Sequence, residues 1–213
     1  MTVTGSQTFG PELQFGQIVG DFYDQHVLLI KVAQSSRSLT NDFRPPSSGE
    51  TTGQLYNVII DRVTEVLGNL EQIVPNYNGQ GYEILGFGWH QGYNNRGDLA
   101  ANNEYQFNMV NFINDIREDL NVNEIPFVIA NTGMGGPDET DPRALSLIAA
   151  QQAASSDPRL NHGDVYTIDT RPFWREEEVS PADSTQDFHW HDNAETYLLI
   201  GNSLAEEILE LQE

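Results

Sequence analysis

Apolar residues along this chain follow two rhythms. Residues 26–33 (HVLLIKVA) form a nearly continuous, β-branched apolar run, which predicts a strand covered on both faces. Leu55, Ile59, Val63, Val66, Leu67 and Leu70 then recur at helical spacing, predicting a helix over 55–70. The alternation continues with a strand at 82–89 and a helical stripe of Tyr105, Met109, Phe112, Ile113, Ile116 and Leu120. A strand at 126–130 precedes an Ala-rich helix at 142–156. A fourth strand at 165–169 leads to a final helix at 194–211, whose Leu204, Ile208 and Leu211 face inward. Strands joined by helical crossovers of this length run parallel, with helices on both faces of the sheet. The expectation is one α/β domain over residues 1–213, a three-layer α/β/α sheet.

In such sheets ligands bind beyond the carboxyl ends of the strands. Three polar or glycine-rich stretches fall there: residues 34–39, 90–95 and 131–136. In the second, Gly92 and Asn94 can aim a backbone N–H and a side-chain amide at one point, as an oxyanion requires. The same pair is also common in plain polar turns. His189 and His191 sit just before the last helix, where they could serve as a general base, bind a metal or decorate the surface. A metal site wants more ligands at fixed spacing, and His26, His90 and His162 are dispersed. The nearby sheet edge favours the base.

Composition narrows the partners. The formal net charge of −22, with 32 acids against 10 bases, repels phosphate backbones and anionic lipid, so neither nucleic acid nor a membrane surface is expected. A dense carboxylate surface suits high salt, or simply solubility. Zero cysteines exclude disulfides, thiolate metal sites and a cysteine nucleophile. The first 25 residues carry no basic-then-apolar signal pattern. Compartment is left open.

A series of motifs, in order, is more specific. It runs through residues 10–16 (GPELQFG), 29–33 (LIKVA), 38–49 (SLTNDFRPPSSG), 86–95 (GFGWHQGYNN), 126–130 (PFVIA) and 189–201 (HWHDNAETYLLIG). Together these resemble the sialate O-acetylesterase-like domain, carbohydrate esterase family 6, of the SGNH (GDSL-like) hydrolases. The resemblance implies a flavodoxin-like α/β/α fold and a serine esterase that removes acetyl groups from sugars of sialic acid or xylan type. It implies no metal and no organic cofactor. It places oxyanion donors at Asn94 and Gly92, the general base at His189 with His191 as second choice, and sugar contacts at Gln91 and Arg37.

The chain departs from that pattern in three places. The family's first strand ends in a G-Q-S-N-like loop carrying the serine nucleophile, well before the GPEL element, yet only nine residues precede Gly10 here. The expectation is a sheet lacking that strand, and a chain that by itself is a poor esterase. Ser35 and Ser36 stand where the family has a Gly-Gly pair, so an oxyanion N–H would come from Ser35. Gln186 occupies the position three before the base where an acid is usual. Two further readings compete: a non-catalytic carbohydrate binder stacking sugars on Trp89, Trp190 and Tyr93, and an anion or nucleotide binder built on Gly133–Gly136.

Overall fold

The computed structural model describes residues 9–49, 51–122, 124–160, 163–180 and 186–212. Three strands, β1 (Phe87–Trp89), β2 (Phe127–Ala130) and β3 (Val165–Ile168), pair in that order and all run parallel. The register sets Phe87 beside Phe127 and Phe127 beside Val165. β2 is central, and all four of its residues are buried, which explains its unbroken apolar sequence.

Among the described residues, eight α-helices surround this sheet: α1 (Glu12–Phe22), α2 (Gln54–Leu67), α3 (Leu70–Ile73), α4 (Tyr93–Arg96), α5 (Leu99–Asn103), α6 (Tyr105–Asp119), α7 (Pro142–Ser155) and α8 (Ala194–Glu210). The alternation of β2 divides the interior into two layers. Phe127 and Ile129 join a core with α2, α6 and α7, in which Phe112, Ile113, Ile116 and Leu147 are fully buried. Val128 and Ala130 face Ile200, Leu204 and Ile208 of α8 on the other side. The three-layer α/β/α architecture is therefore the one the hydrophobic pattern predicts.

The run at 26–33 departs from expectation. It is extended, but none of its residues is buried, and residues 27–33 make no backbone hydrogen bond to any described residue. An apolar sequence supplies strand propensity; a strand also needs a neighbouring edge to bond. Likewise the expected strand at 82–89 pairs only over Phe87–Trp89. The helix expected at 55–70 divides into α2 and α3 at Gly68 and Asn69.

Helix α1 was not expected, although Phe15, Ile18, Val19 and Phe22 carry the helical period. It packs along α8 at Gly201, where a Cβ would collide with the Pro11 carbonyl and lie 3.1 Å from the Phe15 nitrogen. Backbone cannot yield as a flexible side chain does, so Gly201→Ala is expected to lose about 1–3 kcal/mol of stability. A Cβ at Gly20, inside α1, meets nothing within 4 Å, and Gly20→Ala should gain roughly 0.5–1 kcal/mol. Urea denaturation of both variants checks the pair; equal effects would refute the close packing.

Candidate active site

β1 delivers His90, Gln91 and Gly92 to the carboxyl edge, where the chain turns into the short helix α4. Asn95 fastens this turn to the loop that follows the 26–33 run. Its side chain is fully buried, accepts the Leu39 N–H at 3.1 Å and donates to Thr40 Oγ1 at 3.0 Å. Gln91 Nε2 donates to the Arg37 carbonyl at 2.8 Å and to Asn95 Oδ1 at 3.0 Å. Asn94 is exposed, and its Nδ2 reaches the Ser36 carbonyl at 3.4 Å. Two loops that the sequence placed at the same edge are thus tied together by side-chain amides.

These contacts assign Gln91 a role different from the sugar contact implied by the resemblance: both of its amide hydrogens are engaged in bracing the loops. Beneath it, the Tyr105 hydroxyl donates to the Gln91 carbonyl at 2.8 Å and accepts from Trp89 Nε1 at 3.1 Å. Burial pushes the Tyr105 phenol up to about 12, so it remains a donor at neutral pH. Arg37 lies at the rim with its guanidinium 3.1 Å from Asp42. Gly92 is there because nothing larger fits: a Cβ would meet Thr132 Cγ2 at 2.6 Å and Gln151 Nε2 at 2.8 Å. Asn95 was missed as a positioning residue, and its adjacency to Asn94 was the only signal for it.

The third loop, a 3-10 stretch over Asp187–Asp192, approaches from the other side. The ring of Phe188 packs against Tyr93 with centroids 5.8 Å apart, and against His189 at 4.6 Å. His189 is exposed, with Nδ1 3.0 Å from Gln186 Oε1. An amide oxygen only accepts, so Nδ1 carries the proton and Nε2 presents a lone pair. The amide thus fills the orienting position where an acid is usual. His191, by contrast, is buried with its ring 4.7 Å from Trp174. Of the two histidines, only His189 offers its ring to solvent.

Backbone geometry produces that difference. Trp190, His191 and Asp192 have φ of 54°, 51° and 54°, three successive left-handed residues with side chains. Each costs on the order of 1–2 kcal/mol, held here by packing and by the Asn193 cap, whose Oδ1 accepts the Thr196 N–H at the start of α8. The left-handed turn sends Trp190 inward, where Nε1 donates to His90 Nε2 at 3.4 Å. His90 Nδ1 in turn donates to the Ala130 carbonyl at 3.1 Å. Burial lowers the His90 pKa, so it stays neutral and braces the loop.

Other sequence candidates sit differently. Ser35 and Ser36 form an exposed turn, Ser36 with φ of 58°. Among the described residues no hydroxyl hydrogen-bonds to the His189 ring. Trp89 and Trp190 are 5% and 1% exposed, so neither offers a face to a sugar. In the 133–136 loop the Gly133 N–H donates to Thr170 Oγ1 and the Gly136 N–H to the Gly133 carbonyl, which leaves those donors turned away from any anion. Among the described residues no three His, Asp or Glu side chains gather as a metal site requires. No helix of the described chain is long and apolar enough to cross a membrane. His162 lies outside the described residues.

The fold agrees with the comparisons to known proteins. The chain belongs to a carbohydrate esterase family: the family model described as carbohydrate esterase, sialic acid-specific acetylesterase, matches residues 1–210. At the level of that family the activity is ester hydrolysis on carbohydrates. No curated protein matches. Among solved structures, a protein from Arabidopsis thaliana is similar with a TM-score of 0.67 and 20% identity, over 98% of this chain and 71% of that one. At that identity the likeness supports the fold.

Proposed function

We propose that the cleft between the 90–95 and 187–192 loops is a carbohydrate O-acetylesterase site of SGNH type. One observation carries the reading: an exposed histidine whose Nδ1 is fixed by Gln186 stands across an aromatic contact from the loop bearing Asn94. The Asn94 amide and the Gly92 N–H stabilise the oxyanion that forms on the acetyl carbonyl. His189 Nε2 removes the proton from the attacking oxygen and returns it to the departing sugar oxygen. The attacking oxygen, that of water directly or of a hydroxyl whose acyl ester water then hydrolyses, bonds to the acyl carbon as the sugar–oxygen bond to that carbon breaks, and acetate leaves.

Charge favours a neutral, xylan-type sugar over an acidic one. Each of the ten Lys and Arg residues lies 2.7–3.9 Å from a carboxylate, which leaves no unpaired cation for a sialic acid carboxyl. The net charge of −22 also repels an anionic substrate at low salt. Acetate release should therefore be faster from an acetylated xylo-oligosaccharide than from an O-acetylated sialic acid, with the gap narrowing as salt rises. Asn94→Ala should lower release about 10²-fold or to the rate in water. Faster release from the sialic acid would overturn the neutral-sugar assignment. Saturable binding of acetylated sugar without any release above water would establish the non-catalytic binder instead, with half-buried Tyr93 and exposed Phe188 as an aromatic pair at the site.

A further inference from the structure

Gln91 and Gly92 share one peptide unit, and its carbonyl takes two side-chain donors. The Tyr105 hydroxyl donates to the Gln91 carbonyl from α6 at 2.8 Å, and Gln151 Nε2 donates to it from α7 at 2.9 Å. Both side chains are fully buried. Each donor is itself fixed. The Tyr105 hydroxyl accepts from Trp89 Nε1 at 3.1 Å and from Gln151 Nε2 at 3.4 Å, which leaves its single proton for the carbonyl. Gln151 Oε1 accepts the Thr132 N–H at 2.9 Å and the Thr132 hydroxyl at 3.1 Å. A backbone N–H only donates, so the Gln151 amide cannot turn round, and its Nε2 stays on the carbonyl.

The Gln91–Gly92 peptide is trans and planar, with its N–H antiparallel to its C=O. Holding the carbonyl toward α6 and α7 therefore turns the Gly92 N–H away from both helices. Gly92 is buried, yet its N–H bonds to no described residue. Backbone donors in buried residues are nearly always paired, and one left idle while its own carbonyl is gripped twice is the unit that an oxyanion requires. We propose that Tyr105 and Gln151 are positioning residues for ester hydrolysis, aiming the Gly92 N–H at the oxyanion through the carbonyl of the same peptide. The inference rests on the reading of the 90–95 loop as the oxyanion side of the site. Apolar residues would fill the space between α6 and α7 equally well, but would leave the carbonyl free to swing with its loop.

Two measurements test the clamp: turnover of a chromogenic acetate ester, and amide NMR of the full chain titrated with acetate, the product carboxylate. High salt in the titration screens the net charge of −22. In the unaltered chain acetate should shift the Gly92 N–H and the Asn94 side-chain amide together. In Tyr105→Phe and in Gln151→Met the Gly92 response should shrink while the Asn94 response is kept. Release above the water rate should fall about tenfold in kcat in each, with KM within about twofold, because the donor acts chiefly in the transition state. The double variant should lose no more than the roughly 10²–10³-fold that one missing donor costs. Tyr166→Phe, on an exposed side chain of β3, should alter neither measurement. Melting curves confirm folding, and the conservative Tyr105→Phe carries the test if Gln151→Met does not fold. Gly92 and Asn94 responses that shrink together, or kcat unchanged in Tyr105→Phe, would reduce the clamp to packing and overturn the inference alone. No amide response and no release above water in the unaltered chain would overturn the oxyanion reading of the loop, and the clamp with it.

Discussion

Turnover of a chromogenic acetate ester by this chain is expected to stay well below the roughly 1–10³ s⁻¹ of ordinary enzymes. On the proposed reading Gln186 orients His189 as the base and Asn94 and Gly92 act as the donors, but no described hydroxyl bonds to the His189 ring. Triad members act as a unit, and a site left with its donors and binding alone retains only about 10³–10⁴-fold over water. His189→Ala should remove a further tenfold or more of that residue, since positioned proton transfer typically contributes 10²–10⁴-fold. The double variant Ser35→Ala/Ser36→Ala should leave the rate within about twofold. Both serines lie in the turn whose Ser36 carbonyl meets the Asn94 amide, on the donor side of the cleft, and a nucleophile must attack from opposite the donors. Ordinary turnover that vanishes in the double variant would sink this argument and make one of those serines the nucleophile.

Removing the ring of Phe112 should cost more stability than any other single change considered for this fold. Phe112 is fully buried on α6 and touches Tyr56, Phe87, Trp89 and Phe127, with centroids 5.8, 6.0, 4.6 and 6.2 Å away. It therefore links α2, β1 and β2 through one side chain. Phe112→Ala leaves a cavity where four aromatic neighbours meet at backbone-fixed positions, and about 3–5 kcal/mol is expected. For a chain of this size that is a fall of roughly 6–20 °C in melting temperature. Phe107, on the same helix, is 47% exposed, and Phe107→Ala should cost below about 1 kcal/mol. Similar falls for both would mean that the ring cluster does not hold the sheet to α6.

The helical layers were legible because their signal is local. Tyr105, Met109, Phe112, Ile113 and Ile116 fall on one stripe, and all five are fully buried in α6. β2 was legible for the same reason: four consecutive apolar residues fit a central strand. The run 26–33 carries an equally strong pattern and forms no ladder among the described residues, because pairing depends on an edge elsewhere in the chain. Helix α1 was hidden by Gly16 and Gly20, which weaken the pattern locally while α8 supplies the packing surface.

At the site, motif spacing by itself determined which residues reach the carboxyl edge: Gly92, Asn94 and the histidine pair. Tertiary structure decided what each does there. His189 became an exposed ring and His191 a buried one through three left-handed backbone angles, which no composition announces. Gln91 became a brace because Arg37 and Asn95 arrive beside it from distant segments. Trp89 and Trp190 turned inward, away from any sugar. Local sequence sets hydrophobic period and turn chemistry, which act within a few residues; exposure, tautomer and hydrogen-bond partner are settled only when remote segments pack and compete for the same atoms.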